Sequence, residues 1–197
     1  MELNHTIGNF IQAVATGHVE IYNEFSLQHE IGIFLRTHLR DCKIQFERNV
    51  SHFEFVKSEF AKKEIDIAIT AVDTGERLCA IELKYPRNGQ VPESMFSFCR
   101  DIEFLEQLVA SGFKSAYFLA VVDHHHFYTG NDKSIIYSFF RNGAPLTGTI
   151  IKPTGAKDTK VTLTGSYTVK WLPILGDRKF FVAQINPTEK ASEDAIS

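Results

Sequence analysis

Three residues of this chain have the types and spacing to do chemistry together. In the stretch "AIELKYP", residues 80–86, Glu82 and Lys84 interrupt an apolar run, and Asp66 does the same in "EIDIAIT". Charged residues are seldom taken into a core strand unless they are paired or bind something. Both stretches alternate as strands do, so Glu82 and Lys84 share one face while Ile81 and Leu83 share the other. Between them lies Asp73-Thr74-Gly75, which suits a three-residue hairpin loop with glycine in the left-handed position. That loop pairs Val72 with Glu76, and hence Ala68 with Ala80, Asp66 with Glu82 and Glu64 with Lys84. Ile65, Ile67 and Ile69 then face the same way as Leu83, Ile81 and Cys79, whereas a two-residue loop would mix the faces. Two opposed carboxylates repel unless a positive charge lies between them. A hard divalent cation with oxygen ligands answers that need, and Lys84 on the same face could orient or deprotonate a water, or neutralise a phosphoryl oxygen. The plain alternative is a solvated sheet face carrying a Glu64–Lys84 cross-strand pair.

The elements that must position these residues follow from the hydrophobic pattern. Residues 3–15 read as a short amphipathic helix, and residues 20–40 as a long one with Ile21, Phe25, Ile31, Phe34 and Leu35 at helical intervals. A run of strands follows: "KIQFERNV", "HFEFV", "EIDIAIT" and "RLCAIELKY". "PESMFSFCRDIEFLEQLVASG" is a helix with Phe98, Ile102, Leu105 and Val109 on one stripe, ending at Gly112. "SAYFLAVV" is apolar throughout, as in a strand buried on both faces. Another helix ends near Gly143, and the last third reads as strands joined by a Lys- and Gly-rich loop. The expected architecture is α/β, a mixed sheet flanked by helices in the order α-β-β-β-α-β, with an extra C-terminal β-rich segment.

In this setting an acidic residue on one strand followed by Glu-x-Lys on the next resembles the core of the PD-(D/E)XK nuclease superfamily, the restriction-endonuclease-like fold. Asp66, Glu82 and Lys84 carry the resemblance, which spans roughly residues 20–125. One departure is that Ile65, not proline, precedes Asp66. The resemblance implies Mg²⁺- or Mn²⁺-dependent hydrolysis of phosphodiester bonds in DNA. Asp66, Glu82 and the Leu83 carbonyl would hold metal and Lys84 would assist the attacking water. Family members often add a glutamate from the preceding helix; Glu30 is the better match and Glu24 the second choice. Members serve restriction, phage defence, repair or recombination, and some are inactive, so a silent module binding nucleic acid or a partner protein is the alternative.

Composition is compatible with this. A chain of 197 residues with 44% hydrophobic and 23% charged residues is that of an ordinary globular domain. One domain is expected over residues 1–197, with a core at 20–125, a β extension at 144–186 and a frayed tail from 187. No apolar run reaches membrane-spanning length, no signal peptide is visible, and three scattered cysteines suit a reducing, cytoplasmic setting. The net charge of −3 gives no global attraction to nucleic acid, but residues 141–180 hold seven Lys and Arg against two Asp. Arg87, Asn88 and Gln90, in the turn after the motif, could touch nucleic acid; Lys152 and Lys157 around Gly155 read first as a solvated β-turn and second as a contact to the DNA backbone. A chain this short is expected to use a homodimer or a partner subunit for specificity. The run His124-His125-His126 reads as a strand-end loop whose alternating directions oppose a zinc site, and Asp123 ends the buried strand where ligands gather.

Overall fold

The computed structural model describes residues 2–87, 90–131, 134–155 and 158–187. It is an α/β structure with a mixed six-stranded sheet flanked by helices, and a separate two-stranded hairpin. Helices α1 (Glu2–Ala15) and α2 (Glu24–His38) precede strands β1 (Cys42–Asn49), β2 (Glu64–Ala71) and β3 (Arg77–Lys84). Helix α3 (Val91–Ala110), strand β4 (Ser115–Val122) and helix α4 (Ile135–Arg141) follow. The remainder is β5 (Leu146–Ile151), β6 (Lys160–Tyr167), β7 (Leu172–Pro173) and β8 (Lys179–Ile185). The sheet runs β1-β2-β3-β4-β8-β7, with only β3 and β4 parallel. No helix among the described residues is long and apolar enough to cross a membrane.

Two apolar layers sandwich the sheet. On one face α1 contributes Ile7, Phe10 and Val14, and α2 contributes Leu27, Ile31 and Leu35, against Ile67, Ile69, Cys79, Ile81 and Leu83. On the other face the stripe Phe98, Ile102, Leu105 and Val109 of α3 packs on Ala68, Ala80, Ala116 and Ala120. Small residues at those sheet positions let a helix rich in phenylalanine lie close to the strands. β4 alternates fully buried residues between the two layers, as its unbroken apolar run requires.

The C-terminal segment divides in two. β5 and β6 form a hairpin over α3, held there by Glu106, whose carboxylate accepts from the Thr164 and Gly165 amides and the Tyr167 hydroxyl. β8 instead joins the central sheet antiparallel to β4. It is therefore a structural strand of the main layer, not an appendage.

Three local expectations need correction. "HFEFV" is not a strand: residues Val50–Phe53 and Lys57–Glu59 form 3₁₀ turns. Asn49 accepts from the Ser51 amide and Glu54 adopts φ 65°, which turns the chain back on itself. Phe53, Phe55 and Phe60 still pack on the core, so their alternation reflects burial without strand pairing. The β2–β3 turn has four residues, Val72 to Gly75, because the Ala71 amide bonds the Glu76 carbonyl. A bulge then leaves Leu78 without a partner between the Thr70–Arg77 and Ile69–Cys79 pairs, and the register beyond it is Ala68–Ala80 and Ile67–Ile81. Finally, Ile65 packs in the α3 layer, opposite to Ile67. The strand changes phase at Asp66, beside Glu47, whose φ of 49° interrupts the β1 pairing between Phe46–Ile67 and Arg48–Ile65.

Candidate active site

The phase change gives Asp66 its position. The β2–β3 ladder ends at Ile67–Ile81, and side chains take over where backbone pairing stops. The Asp66 amide donates to Glu82 Oε1 at 3.2 Å, and the Leu83 amide donates to Asp66 Oδ2 at 2.8 Å. The two carboxylates are thus held at one strand end by backbone donors. Glu82 is wholly buried, so the solvated-face alternative does not apply to it. Nor does Lys84 pair with Glu64, which is exposed. Its ammonium donates to the Leu83 carbonyl at 3.0 Å and lies 3.5 Å from Asp101 Oδ2 and 3.6 Å from Glu24 Oε1.

Glu24, not Glu30, is the glutamate that α2 brings to this site. Asn23 caps α2 by accepting from the Ser26 amide at 2.7 Å, which starts the helix at Glu24. Glu24 Oε2 then accepts the Tyr85 amide at 3.0 Å. Six residues further along, Glu30 lies about 120° around the helix from Glu24 and cannot reach the same point. No hydrogen bond or ion pair joins Glu30 to Asp66, Glu82 or Lys84 among the described residues. Gln28, one turn after Glu24, does reach in, donating to the Asp66 carbonyl at 3.2 Å and to Glu47. Glu24, Phe25, Gln28, Glu47, Asp66 and Leu83 line an open cleft of about 210 Å³. That is many times the roughly 10–15 Å³ such a space needs to hold one water.

Two residues of the cluster were not anticipated. Asp101 on α3 is 2% exposed, and Lys62, just before β2, bridges Glu82 Oε2 and Asp101 Oδ1, the latter at 3.0 Å. Asp101 had a readable signal: it falls between Phe98 and Leu105 on the buried stripe of α3, a carboxylate on a face that should be apolar. Lys62 in "AKKEID" had none, since its sequence context is that of an ordinary solvated charge.

Comparison of the chain with protein-family models, with curated proteins and with solved structures finds no match in any of the three. The geometry of the site stands alone.

Its electrostatics follow from composition. Glu24, Asp66, Glu82 and Asp101 set four carboxylates against the two ammonium groups of Lys62 and Lys84, a formal charge of −2. Burial, then the neighbouring Asp66 and Asp101 charges, push Glu82 well above the usual carboxylate range. Burial likewise raises Asp66, against the pull of Lys62 and Lys84. For the lysines burial opposes the charge, but it is outweighed: Glu82, Asp101 and Asp66 hold Lys62 protonated, and Asp101, Glu24 and Asp66 hold Lys84 so. Acids pushed towards neutrality beside firmly charged bases are what an excess of negative charge in a dry site produces.

A carboxylate whose folded pKa exceeds its unfolded value costs stability when ionised, and that cost disappears as pH falls through the folded value. The protein is therefore expected to gain stability from Glu82 and Asp66 as pH falls from neutral towards the unfolded carboxylate range, near about 4. Melting temperatures of wild type and Glu82→Gln across that range check it. The difference between the two proteins should narrow on acidification, and a widening difference would show the sign to be wrong.

Of the residues expected to contact DNA, Arg87, Gln90 and Lys152 are described. Arg87 is 55% exposed in its side chain and lies 3.7 Å from Asp123, at the strand end where Asp123 was expected to face a ligand. Gln90 is exposed at the start of α3. Lys152 is engaged by Glu93 at 3.4 Å. Asn88 and Lys157 lie outside the described residues. The histidine run departs from expectation: a 3₁₀ turn over His125–Phe127 replaces strand alternation and brings ligand atoms of His124, His125 and His126 within 4.8 Å of one another. All three are exposed, and His124 Nδ1 is occupied by the His126 amide.

Proposed function

We propose that this protein is a divalent-cation-dependent nuclease of the restriction-endonuclease-like fold, hydrolysing phosphodiester bonds in DNA. The observation that carries the reading is the meeting of Asp66, Glu82, Lys84 and Glu24 at one strand end, from three separate elements. The antiparallel β1-β2-β3 meander, followed by α3 and a β4 strand parallel to β3, supports the fold assignment.

The residues present fit a hard divalent cation. The cluster sets four carboxylates against two ammonium groups, and the buried Oδ2 of Asp101 accepts no hydrogen bond. Asp66, Glu82 and the Leu83 carbonyl would hold Mg²⁺ or Mn²⁺. Such an ion, when bound there, would supply Lewis acidity towards a phosphoryl oxygen and lower the pKa of a water. Lys84, kept protonated by Asp101 and Glu24, is suited to orienting that water and balancing charge on a phosphoryl oxygen, and not to acting as its base. Glu24 fixes the Lys84 ammonium and the Tyr85 amide, and with them the mouth of the cleft.

A second reading has one observation in its favour. Glu82 is wholly buried and already engaged by Lys62, as in a site that binds no ion, which suits an inactive module of the same fold that binds nucleic acid or a partner protein. One assay separates the two. Linear, supercoiled and single-stranded DNA are incubated with Mg²⁺ or Mn²⁺, with and without EDTA, alongside Lys84→Ala. The nuclease reading expects cleavage that EDTA abolishes and that Lys84→Ala lowers by at least about 100-fold. Cleavage untouched by the substitution removes Lys84 from the mechanism, and no cleavage of any substrate leaves the binding module.

A further inference from the structure

We propose that Lys62 is a tethered cation that occupies the divalent-ion position of the metal-free site and withdraws when the ion enters. The inference rests on the nuclease reading above and concerns how that site is regulated. Glu82 and Asp101 are buried to 0% and 2% exposure, depths at which carboxylates need a cationic partner. Lys62 supplies it, with one ammonium joined to Glu82 Oε2 and Asp101 Oδ1. It also lies within the electrostatic reach of Asp66. The same ammonium thus engages Glu82 Oε2, one of the oxygens to which the nuclease reading assigns a metal, and bridges it to Asp101 beside that site.

The attachment of Lys62 suits an exchangeable ion. Its backbone is pinned on both sides, by the Ala61 amide to Gln107 Oε1 at 2.8 Å and the Val50 amide to the Lys63 carbonyl at 2.8 Å. Only the four-carbon stem crosses to the carboxylates, passing Phe104, whose ring centre is 5.7 Å from the ammonium. A quarter of that side chain remains exposed, so rotation about its own bonds carries the charge to water without moving the chain.

One ammonium also leaves the cluster incomplete. Asp101 presents its Oδ1 to Lys62, while its buried Oδ2 accepts no hydrogen bond, with Lys84 Nζ 3.5 Å away. A monovalent occupant therefore stabilises the folded metal-free site and still leaves it the weaker of two arrangements. The consequence is a threshold: the ion must compete with a charge that the chain itself holds in place.

The test measures ion binding and not turnover. Lys62→Met keeps the stem and removes the charge, and Lys62→Gln keeps a hydrogen-bond donor without charge. Titration calorimetry with Mg²⁺ and Mn²⁺, with melting curves at each ion concentration, is run on the full chain and both variants. Both are expected to melt below wild type without ion, to bind the ion at least about tenfold more tightly, and to gain more in melting temperature on saturation. Either folded variant binding at wild-type affinity or more weakly, while wild type binds, overturns the role of Lys62 and leaves the metal centre standing. Absence of binding in all three proteins overturns the metal centre itself. If Lys62→Met does not fold, Lys62→Gln decides between the first two outcomes.

Discussion

Replacing Asp66 with asparagine is expected to lower DNA cleavage on the order of 10³-fold while the metal-free protein becomes no less stable. The two halves of that result have one cause. The Asp66 carboxylate is raised towards neutrality by burial, against the pull of Lys62 and Lys84, and its charge in turn pushes Glu82 up. Asparagine removes that charge and keeps an oxygen to accept the Leu83 amide, which now bonds Asp66 Oδ2 at 2.8 Å. Local geometry at the end of β2 should therefore persist, and relief of the burial cost of the Asp66 charge and of its repulsion of Glu82 is worth up to about 1 kcal/mol, or roughly 2–4 °C in melting temperature for a domain of this size. A ligand for a cation has no such tolerance, since a neutral amide oxygen gives up most of the electrostatic attraction. Cleavage rates under saturating Mg²⁺, set beside thermal melts in EDTA, provide the measurement. Parallel losses of activity and stability would mean that Asp66 is a structural residue, and retained activity would mean that it is not a ligand.

Phe98→Ala is expected to destabilise the protein by about 4 kcal/mol, lowering the melting temperature by roughly 8–16 °C. Phe98 is fully buried, with ring centres of Phe118, Phe127 and Phe140 at 5.4, 5.8 and 5.9 Å. Those neighbours belong to β4, the 3₁₀ turn after it and α4, so one side chain ties three elements to α3. Truncation removes apolar area and leaves a space that rings fixed on separate elements cannot collapse to fill. Asp101 follows one turn later on α3, so the same change should also loosen its approach to Lys62 and Lys84. Phe25→Ala is the matched control: Phe25 is 73% exposed and its loss should move stability by less than about 0.5 kcal/mol. Denaturant or thermal unfolding of both variants decides, and a Phe98→Ala protein as stable as the control would contradict the packing described here.

Legibility in the sequence followed the range of the interaction. The register of β2 on β3 near the site could be counted, because one face of each strand must be apolar and a shift by one residue would expose it. That argument held for Ala68–Ala80 and Ile67–Ile81 although the turn assumed for it was one residue too short. The bulge at Leu78 absorbs the difference, so the hydrophobic pattern outranked the turn chemistry. "HFEFV" shows the opposite limit. Its alternation was real, but Phe53 and Phe55 satisfy it by packing beside Phe113, which no local pattern distinguishes from a strand.

By itself the sequence determined the α/β alternation, the amphipathic helices, the doubly buried β4 and the placing of Asp66, Glu82 and Lys84 at neighbouring strand positions. Each depends on periodicity within a segment or on pairing between adjacent segments. Tertiary structure decided the rest: Glu24 over Glu30, the Lys62 bridge, the phase change at Asp66 and the insertion of β8 beside β4. These depend on where a helix begins relative to a distant strand, or on which loop folds back over a buried charge. Asp101 stands between the two. A carboxylate on the apolar stripe of α3 could be read from spacing, but only the packing of α3 against β3 shows that it meets Lys62 and Lys84. Alternation reports which residues are buried, and it is the docking of separate elements that determines what a buried charge meets.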